Sequence, residues 1–270
     1  MQLQIFDFEH GACSLLTADN NTRLMIDCGH NGITGWKPGT YLRQQGIQQL
    51  EMLAITNYDE DHASASAELF DSLHVGWLLR NKSISGAGIK TLKTEEGMGP
   101  GIERLTQEID NTYTAAPTPT SPEPVFQGLE RQVFYNNYPL FDDENNLSMA
   151  LFLKCHGIGV MFTGDLEKAG FQRLLTNEPF REALRNTNVF VASHHGRENG
   201  CCPDLTQYLT NVFYVVISDK GYAHETQETL PFYQQIAKGG PFRATTRKIL
   251  TTRNDGRIGF QFNPGSWGPY

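Results

Sequence analysis

Four side chains that could ligate a metal ion fall within six consecutive residues of the sequence. A strand-like run at 51–55 precedes them and a helix-like run at 63–73 follows, so a tight turn would bring them together. Carboxylates this close repel one another unless a cation or protons neutralise them, and the spacing therefore favours metal binding. Helix capping is the alternative, because Asp and Asn favour helix starts, but three acidic residues and a histidine exceed what one cap needs. The four ligand candidates are Asn57, Asp59, Asp61 and His62.

Further acidic residues and histidines stand just after apolar, strand-like runs elsewhere in the chain. Side chains that leave one edge of a layered sheet can meet at a common site. Each has an ordinary alternative, because an Asp can cap a helix and a histidine can be a simple loop residue. The joint pattern nevertheless predicts one metal site assembled from distant parts of the sequence. These candidates are Asp27, Asp165, His194, His195 and His224.

The elements that must position these residues alternate between strand and helix. Turn residues separate three early strands into a β-meander, and later strands and helices follow one another as in a layered α/β architecture. The expected strands are 3–8, 14–17, 23–29, 51–55, 74–79, 132–135, 148–154, 158–163, 188–192, 212–217, 248–252 and 257–262. The expected helices are 38–50, 63–73, 102–109, 166–176 and 226–237.

The composition is that of a folded protein with no general affinity for polyanions. The 270 residues can bury a substantial core, and we expect one domain, 1–270, with a Gly- and Pro-rich surface insertion around 81–130. The net charge of −8 gives no overall attraction for phosphate backbones, so any nucleic acid would be held by local groups. We find no signal-peptide pattern or membrane segment in the sequence, which favours a cytoplasmic location. The five cysteines are read as reduced core thiols.

The joint pattern resembles the metallo-β-lactamase superfamily, and within it most closely the soluble hydrolase domain of ComEC-type DNA-uptake proteins. The resemblance covers nearly the whole chain. It implies an α+β fold, a four-layer αββα sandwich in which two mixed sheets pack face to face with helices outside. The segments that carry it are 24–29 with Asp27, 57–62, Thr163-Gly164-Asp165, Ser193-His194-His195-Gly196, a later Gly-x-x-His at 221–224, and 252–258.

The sequence departs from the superfamily at the first metal position. The pattern His-x-His-x-Asp-His is here Asn57-x-Asp59-x-Asp61-His62, so two imidazoles are missing. Asn145 or Asn146 stands roughly where the histidine of the third motif is expected. An oxygen-rich first position suits Mn²⁺ or Mg²⁺ better than Zn²⁺.

For the second metal position, the resemblance implies a mixed nitrogen and oxygen ligand set that suits Zn²⁺ or Mn²⁺. One or two divalent ions are expected, with Asp165 bridging them. Asp27 would orient a ligand from behind, and Lys220 or His224 would contact a substrate phosphate, with His224 as a further ligand candidate. The expected ligands at this position are Asp61, His62, Asp165 and either His194 or His195.

The resemblance implies a metal-dependent hydrolase, most naturally a phosphodiesterase or nuclease that acts on a nucleotide or nucleic acid through a metal-held hydroxide. Asp61, Asp59 and Asp165 are the catalytic candidates, and with a single ion Asp61 or Asp59 would assist as a general base. The alternative is a catalytically weakened relative that serves as a nucleotide-binding or protein-interaction module, because the first metal position lacks its imidazoles.

Overall fold

The fold is built from short strands and helices that share two extended sheets. The computed structural model describes residues 1–7, 11–94, 97–116, 118, 122–218 and 224–270, with the backbone alone at 224–227. Within these ranges the strands are β1 (Gln2–Ile5), β2 (Ser14–Thr17), β3 (Arg23–Ile26), β4 (Gln49–Ala54), β5 (His74–Leu79), β6 (Leu129–Tyr135), β7 (Met149–Cys155), β8 (Ile158–Phe162), β9 (Thr187–Val191), β10 (Tyr214–Ile217), β11 (Gly240–Phe242), β12 (Thr245–Arg247), β13 (Ile249–Thr251), β14 (Ile258–Asn263) and β15 (Ser266–Pro269). The helices are α1 (Pro38–Gln44), α2 (Glu60–Ala63), α3 (Ser66–Ser72), α4 (Gly86–Leu92), α5 (Pro100–Asn111), α6 (Lys168–Leu174), α7 (Glu178–Arg185), α8 (His224–Ile236) and α9 (Thr252–Asp255).

Both large sheets are mixed. Among the described residues, one sheet has the strand order β15-β14-β1-β2-β3-β4-β5 and the other has the order β13-β10-β9-β8-β7-β6. The early meander β1-β2-β3 is antiparallel, whereas β3, β4 and β5 run parallel, as do β8, β9, β10 and β13. The carboxyl ends of the parallel strands therefore share one edge in each sheet.

Strand β7 shows how the two sheets pack. Its residues are apolar almost throughout, which is typical of a strand buried on both faces. Leu151 and Leu153 face the core between the sheets, while Ala150 and Phe152 face the helices that cover the second sheet. A third apolar cluster lies under the helices that cover the first sheet. The layers are therefore helix, sheet, sheet and helix, and the predicted αββα sandwich is confirmed.

Several predicted element boundaries were wrong for local reasons. The helix expected at 38–50 ends at Gln44, because Gly46 takes a left-handed φ of +76° and β4 follows. The helix expected at 63–73 is two helices, and the first of them begins inside the ligand-rich segment. The helix expected from 166 begins at Lys168, after a turn in which Gly164 has φ +52°.

The carboxyl ends of five parallel strands converge on one side of the sandwich. Asp27 follows β3, the segment 57–62 follows β4, and Asp165 follows β8. The histidine pair follows β9, and Ser218 follows β10. Side chains from both sheets therefore meet at their common edge. None of the described helices combines the length and apolar character needed to cross a membrane.

Candidate metal centre

Four ligand candidates from three separate segments converge at the edge shared by the two sheets. Asp61 and His62 come from α2, Asp165 from the turn after β8, and His195 from the turn after β9. Their carboxylate oxygens and imidazole nitrogens all lie within 4.8 Å of one another. The structure thus brings together the Asp61-His62 half of the predicted site, Asp165 and one histidine of the pair.

Close backbone packing holds the α2 turn against the end of β3. The carbonyl oxygen of His62 accepts a hydrogen bond from the N–H of Cys28 at 2.8 Å. A Cβ atom on Gly29 would lie 2.4 Å from the carbonyl oxygen of Asp61, so any larger residue there would displace the turn. The sequence therefore needs a glycine directly opposite its ligand-bearing segment.

The histidine pair is presented by a strained turn. His194 and His195 have φ values of 49° and 52°, in the left-handed region that residues with a Cβ seldom occupy, and Gly196 follows at 77°. Such conformations cost about 1–3 kcal/mol each and cluster at functional sites. They send the two rings in different directions, so that only one of them joins the four-residue cluster.

His62 is clamped between two carboxylates. Its Nδ1 lies 3.0 Å from Oδ2 of Asp27, and its Nε2 lies 3.0 Å from Oδ1 of Asp165. Asp27 is itself fixed, because it accepts bonds from the peptide N–H of Thr56 at 2.7 Å and from the hydroxyl of Thr56 at 2.6 Å. This chain of bonds aims Nε2 at the cluster, and Asp27 lies where the sequence predicted a residue that orients a ligand.

His195 is held in the same manner from the second sheet. Its Nδ1 donates to the carbonyl oxygen of Ser218 at 2.9 Å, which leaves the lone pair on Nε2. That Nε2 lies 3.0 Å from Oδ2 of Asp61 and 3.8 Å from Oδ1 of Asp165. A lone pair that faces two carboxylates needs a cation or a proton between them.

The charges of the cluster perturb one another strongly. Burial would lower the pKa of His62, but the charges of Asp165 and Asp27 outweigh it and raise that pKa well above its ordinary value. The pKa of His195 is also raised, because Asp165 and Asp61 outweigh the effect of burial. Burial would raise the pKa of Asp61, yet the two imidazoles hold it far below its usual range. The metal-free cluster therefore retains protons that a cation would displace.

The arrangement fits a single divalent ion. A tetrahedral ion with metal–ligand distances of about 2.0–2.2 Å holds its ligand atoms about 3.3–3.6 Å apart, so the most widely separated atoms of the cluster would close by roughly 1 Å on binding. A space of about 30 Å³ lies beside His62, Asp165 and His195. Two imidazoles and two carboxylates are a donor set that Zn²⁺ and Mn²⁺ both accept.

The other half of the ligand-rich segment faces a lysine. Oδ1 of Asp59 contacts Nζ of Lys93, which also lies 2.6 Å from Oε1 of Glu144. Asn57 accepts the peptide N–H of Asp59 on its Oδ1 at 2.5 Å. Asp59 is not among the four residues of the cluster, and the ligand roles of Asn57 and Asp59 stay predictions.

The two asparagines expected near the third motif have different surroundings. Asn145 accepts a hydrogen bond from Nδ2 of Asn57 at 3.3 Å and donates one to Oε1 of Glu167 at 3.3 Å. Asn146 instead accepts the peptide N–H of Gly170 at 2.8 Å and braces α6. Asn145 is therefore the asparagine that contacts the ligand-rich segment.

His194 lies at the outer side of the cluster. Its Nε2 accepts a hydrogen bond from Nη1 of Arg197 at 3.2 Å, and it stays 3.9 Å from Oδ2 of Asp165. Burial lowers the pKa of His194, which keeps the ring neutral and able to accept that bond. Its lone pair is thus directed at Arg197, and His195 is the histidine that faces the ligands.

A cleft of about 460 Å³ opens next to His194, lined by Lys168, Arg197, Glu198, Asn199 and Glu228. Its two cations are Arg197, whose guanidinium contacts His194, and Lys168, the first residue of α6. Lys220 lies outside the described residues. The backbone of His224 begins α8, and its side chain is outside the description, so the predicted phosphate contacts of Lys220 and His224 remain predictions.

Sequence reasoning missed Lys93 and Glu144. Lys93 is 34 residues from Asp59 and belongs to a Gly- and Ser-rich stretch without a motif. The one available signal was electrostatic, because crowded carboxylates without the expected imidazoles require some other cation. Ser148 was missed as well, although its Oγ accepts from the peptide N–H of Asp165 and from Nδ2 of Asn57, both at 3.0 Å.

Comparison with known proteins gives one sequence match of note. No protein-family model matches the chain. Over 230 residues the chain is 24% identical to ComE operon protein 3 of Bacillus subtilis (strain 168). The aligned region covers 82% of this chain and 26% of that protein. The chain therefore spans about a quarter of the length of this relative.

The solved structures that match the chain have low sequence identity to it. A diphosphatase of the PhnP family has a TM-score of 0.48 at 10% identity, covering 97% of this chain and 98% of that one. Igni18, a metallo hydrolase of Ignicoccus hospitalis, has a TM-score of 0.46 at 14% sequence identity, and the match covers 97% of this chain and 100% of that one. Zn²⁺-bound PqqB of Methylobacterium extorquens has a TM-score of 0.37 at 12% sequence identity, and the match covers 71% of this chain and 72% of that one.

The sequence match and the fold agree with what the motifs predicted. The matched relative is a ComE operon protein, and the sandwich carries its ligand candidates at the sheet edge that the resemblance implies. The match to ComE operon protein 3 confirms the predicted resemblance of this chain to ComEC-type proteins.

Proposed function

We propose that the chain is a metal-dependent phosphodiesterase or nuclease that works with one divalent ion held by Asp61, His62, Asp165 and His195. The observation that carries the proposal is the orientation of the two imidazoles. Each has its Nδ1 fixed by a partner behind it, Asp27 for His62 and Ser218 for His195, so that both Nε2 atoms face the same two carboxylates. Such support of a ligating histidine is typical of functional metal sites.

A divalent ion bound there would supply a Lewis acid for a phosphoryl oxygen and activate a water molecule for attack on phosphorus. Asp61 is the most open ligand, with 31% of its side chain exposed, whereas that of Asp165 is 3% exposed. Asp61 is ionised at neutral pH, so its carboxylate can orient a water molecule, but its lowered pKa makes it a weak proton acceptor. Asp165 supports the ion from the buried side.

The cleft beside His194 supports a phosphate-bearing substrate. Arg197 and Lys168 line this cleft, and an arginine offers paired donors to phosphate oxygens. Because the chain as a whole carries a net charge of −8, a polyanion would be attracted by these local cations and by the metal ion, not by the general surface. The resemblance to ComEC-type hydrolase domains also favours a nucleotide or nucleic-acid phosphodiester.

Removal of Asp165 tests the proposal. We expect Asp165→Ala to lose both bound metal and cleavage of bis(p-nitrophenyl) phosphate, because its Oδ1 approaches both imidazoles. Asp142→Ala is the matched control, since Asp142 is exposed and outside the cluster. Metal content is measured by elemental analysis after incubation with Mn²⁺ or Zn²⁺, and cleavage is followed with the generic ester and with short single-stranded and double-stranded DNA.

Two results would count against the proposal. Full metal content and activity in Asp165→Ala would show that the ion is held elsewhere. A wild-type chain that binds metal but cleaves no phosphodiester with Mn²⁺, Mg²⁺ or Zn²⁺ would favour the alternative of a binding module.

A further inference from the structure

A buried lysine neutralises the half of the ligand-rich segment that lies outside the metal centre. Lys93 is 6% exposed, and its Nζ contacts Oδ1 of Asp59 and, at 2.6 Å, Oε1 of Glu144. The side chains of these two carboxylates are 28% and 16% exposed. A buried ammonium is stable only when it is paired in this way, so the contact is a built feature of the fold.

The carboxamide of Asn57 turns its NH₂ group, and not a lone pair, toward Ser148 and Asn145. Its carboxamide oxygen accepts the peptide N–H of Asp59 at 2.5 Å. Its NH₂ group donates to Oγ of Ser148 at 3.0 Å and to Oδ1 of Asn145 at 3.3 Å. An amide NH₂ carries no lone pair for a cation. The side chain that replaces a ligating imidazole therefore offers donors where an ion would need acceptors.

We infer that Lys93 takes the place of the first metal ion and limits the centre to one divalent cation. The carboxylates of Asp59 and Glu144 form the kind of oxygen-rich cradle that Mn²⁺ prefers. The ammonium group fills that cradle with a single fixed charge. The chain thus carries a permanent cation in one half of the site and an exchangeable cation in the other.

The lysine comes from an element that the superfamily pattern does not predict. It directly follows α4, inside the stretch 81–130 that the sequence marked as a surface insertion. Helix α4 packs against α5, and Gly101 of α5 fits so closely against α2 that a Cβ would lie 2.3 Å from the carbonyl oxygen of Ala63. The insertion is therefore packed onto the ligand-bearing turn and can deliver a cation to it.

The inference deepens the proposed function and rests on the proposed metal site, but its test does not depend on that site. The measurement is the number of Mn²⁺ ions bound per folded chain, by elemental analysis and by calorimetric titration. We expect one ion in the wild type and two in Lys93→Ala, because removal of the ammonium opens the cradle. Lys90→Ala removes an exposed lysine of α4, the helix that precedes Lys93, and this variant should still bind one ion.

A double variant locates the added ion. Lys93→Ala combined with Glu144→Gln should lose the second ion and keep the first. A second readout is thermal unfolding, where Mn²⁺ should raise the melting temperature of Lys93→Ala more than that of the wild type, because the ion replaces the missing partner of two carboxylates. Lys93→Ser leaves a hydroxyl in the space and serves if the alanine variant does not fold.

The difference in the number of bound Mn²⁺ ions between Lys93→Ala and the wild type tests the inference about Lys93. The number bound by the wild type tests the proposed metal centre. An unchanged count in Lys93→Ala and in Lys93→Ser would overturn the inference even if the wild type binds one ion. A wild-type chain that binds two ions would overturn it as well. A wild-type chain without metal would refute the proposed metal centre. The role of Lys93 would still be supported if Lys93→Ala gained one ion and the added Glu144→Gln substitution removed it again.

Discussion

The two halves of the segment 57–62 differ in how the repulsion between their crowded carboxylates is neutralised. In the half with Asp61 and His62, imidazoles and carboxylates from other segments leave a small space that suits an ion. In the half with Asn57 and Asp59, a lysine that is 6% exposed fills the corresponding space. Crowded carboxylates thus demand a cation in both places, but only one of the two can exchange it.

A serine hydroxyl connects the two halves. Oγ of Ser148 accepts the peptide N–H of Asp165 and the NH₂ of Asn57, both at 3.0 Å. Ser148 is fully buried. A change in one half can therefore be expected to shift the other by a small amount, and the strongest tests compare equivalent changes in the two halves.

The histidine pair gives the largest expected contrast. His195→Ala should weaken Mn²⁺ or Zn²⁺ binding by at least about 100-fold, because it removes a lone pair that faces two carboxylates. His194→Ala should stay within about threefold of wild type in metal affinity, because its Nε2 is directed at Arg197. Calorimetric titration measures both. Equal losses in the two variants would contradict the choice of His195 as ligand.

Asp27→Asn should have the next largest effect. The substitution keeps the shape but replaces the carboxylate oxygen 3.0 Å from Nδ1 of His62 with a neutral amide, so His62 is less firmly oriented and less basic. Metal affinity should fall about 10–100-fold, as for other partners behind a ligating histidine. Circular dichroism checks that the variant folds, since Asp27 also holds the peptide N–H of Thr56. Unchanged affinity in a folded variant would rule out this role.

Much of the site could be predicted because motif residues follow strands. Asp27, Asp61 and Asp165 each stand after a strand that the apolar runs indicated, and parallel strands bring their ends together. The choice between His194 and His195 could not be predicted. It depends on two consecutive left-handed residues that turn one ring inward, and φ values are not readable from residue types there.

The cation in the other half could not be predicted for a different reason. Lys93 reaches Asp59 across 34 residues, through the packing of α4 and α5, and no local pattern links the two positions. The predicted helix boundaries were wrong where a glycine with positive φ ends a helix early, as at Gly46, or precedes a helix that begins later than expected, as at Gly164. The helix propensities of the residues predict that these helices exist, but they do not predict where the tertiary fold ends them.

Metal affinity should increase with pH. In the metal-free chain the carboxylates raise the pKa of His62 and of His195 despite burial, which favours protonated rings. A ligating imidazole must lose its proton, so binding releases protons and weakens as the pH falls below the raised pKa values. Affinity should change at least about tenfold between about pH 6 and about pH 7. Titrations in buffers of different ionisation enthalpy count the released protons, and a pH-independent affinity would contradict the assignment.

The smallest effect is expected from restoring the missing imidazoles. The double variant Asn57→His, Asp59→His should still bind one Zn²⁺ while Lys93 is present, because the ammonium group keeps the space. The same pair of substitutions combined with Lys93→Ala should bind two. Zinc content per chain checks both, and a second zinc in the presence of Lys93 would break the proposed contrast between the halves.

The most direct test is a crystal structure of the wild-type chain soaked in Mn²⁺, with anomalous scattering used to locate the ion. The account predicts one peak among Asp61, His62, Asp165 and His195, and the ammonium of Lys93 still between Asp59 and Glu144. A peak between Asp59 and Glu144, or no peak within the four-residue cluster, would contradict it.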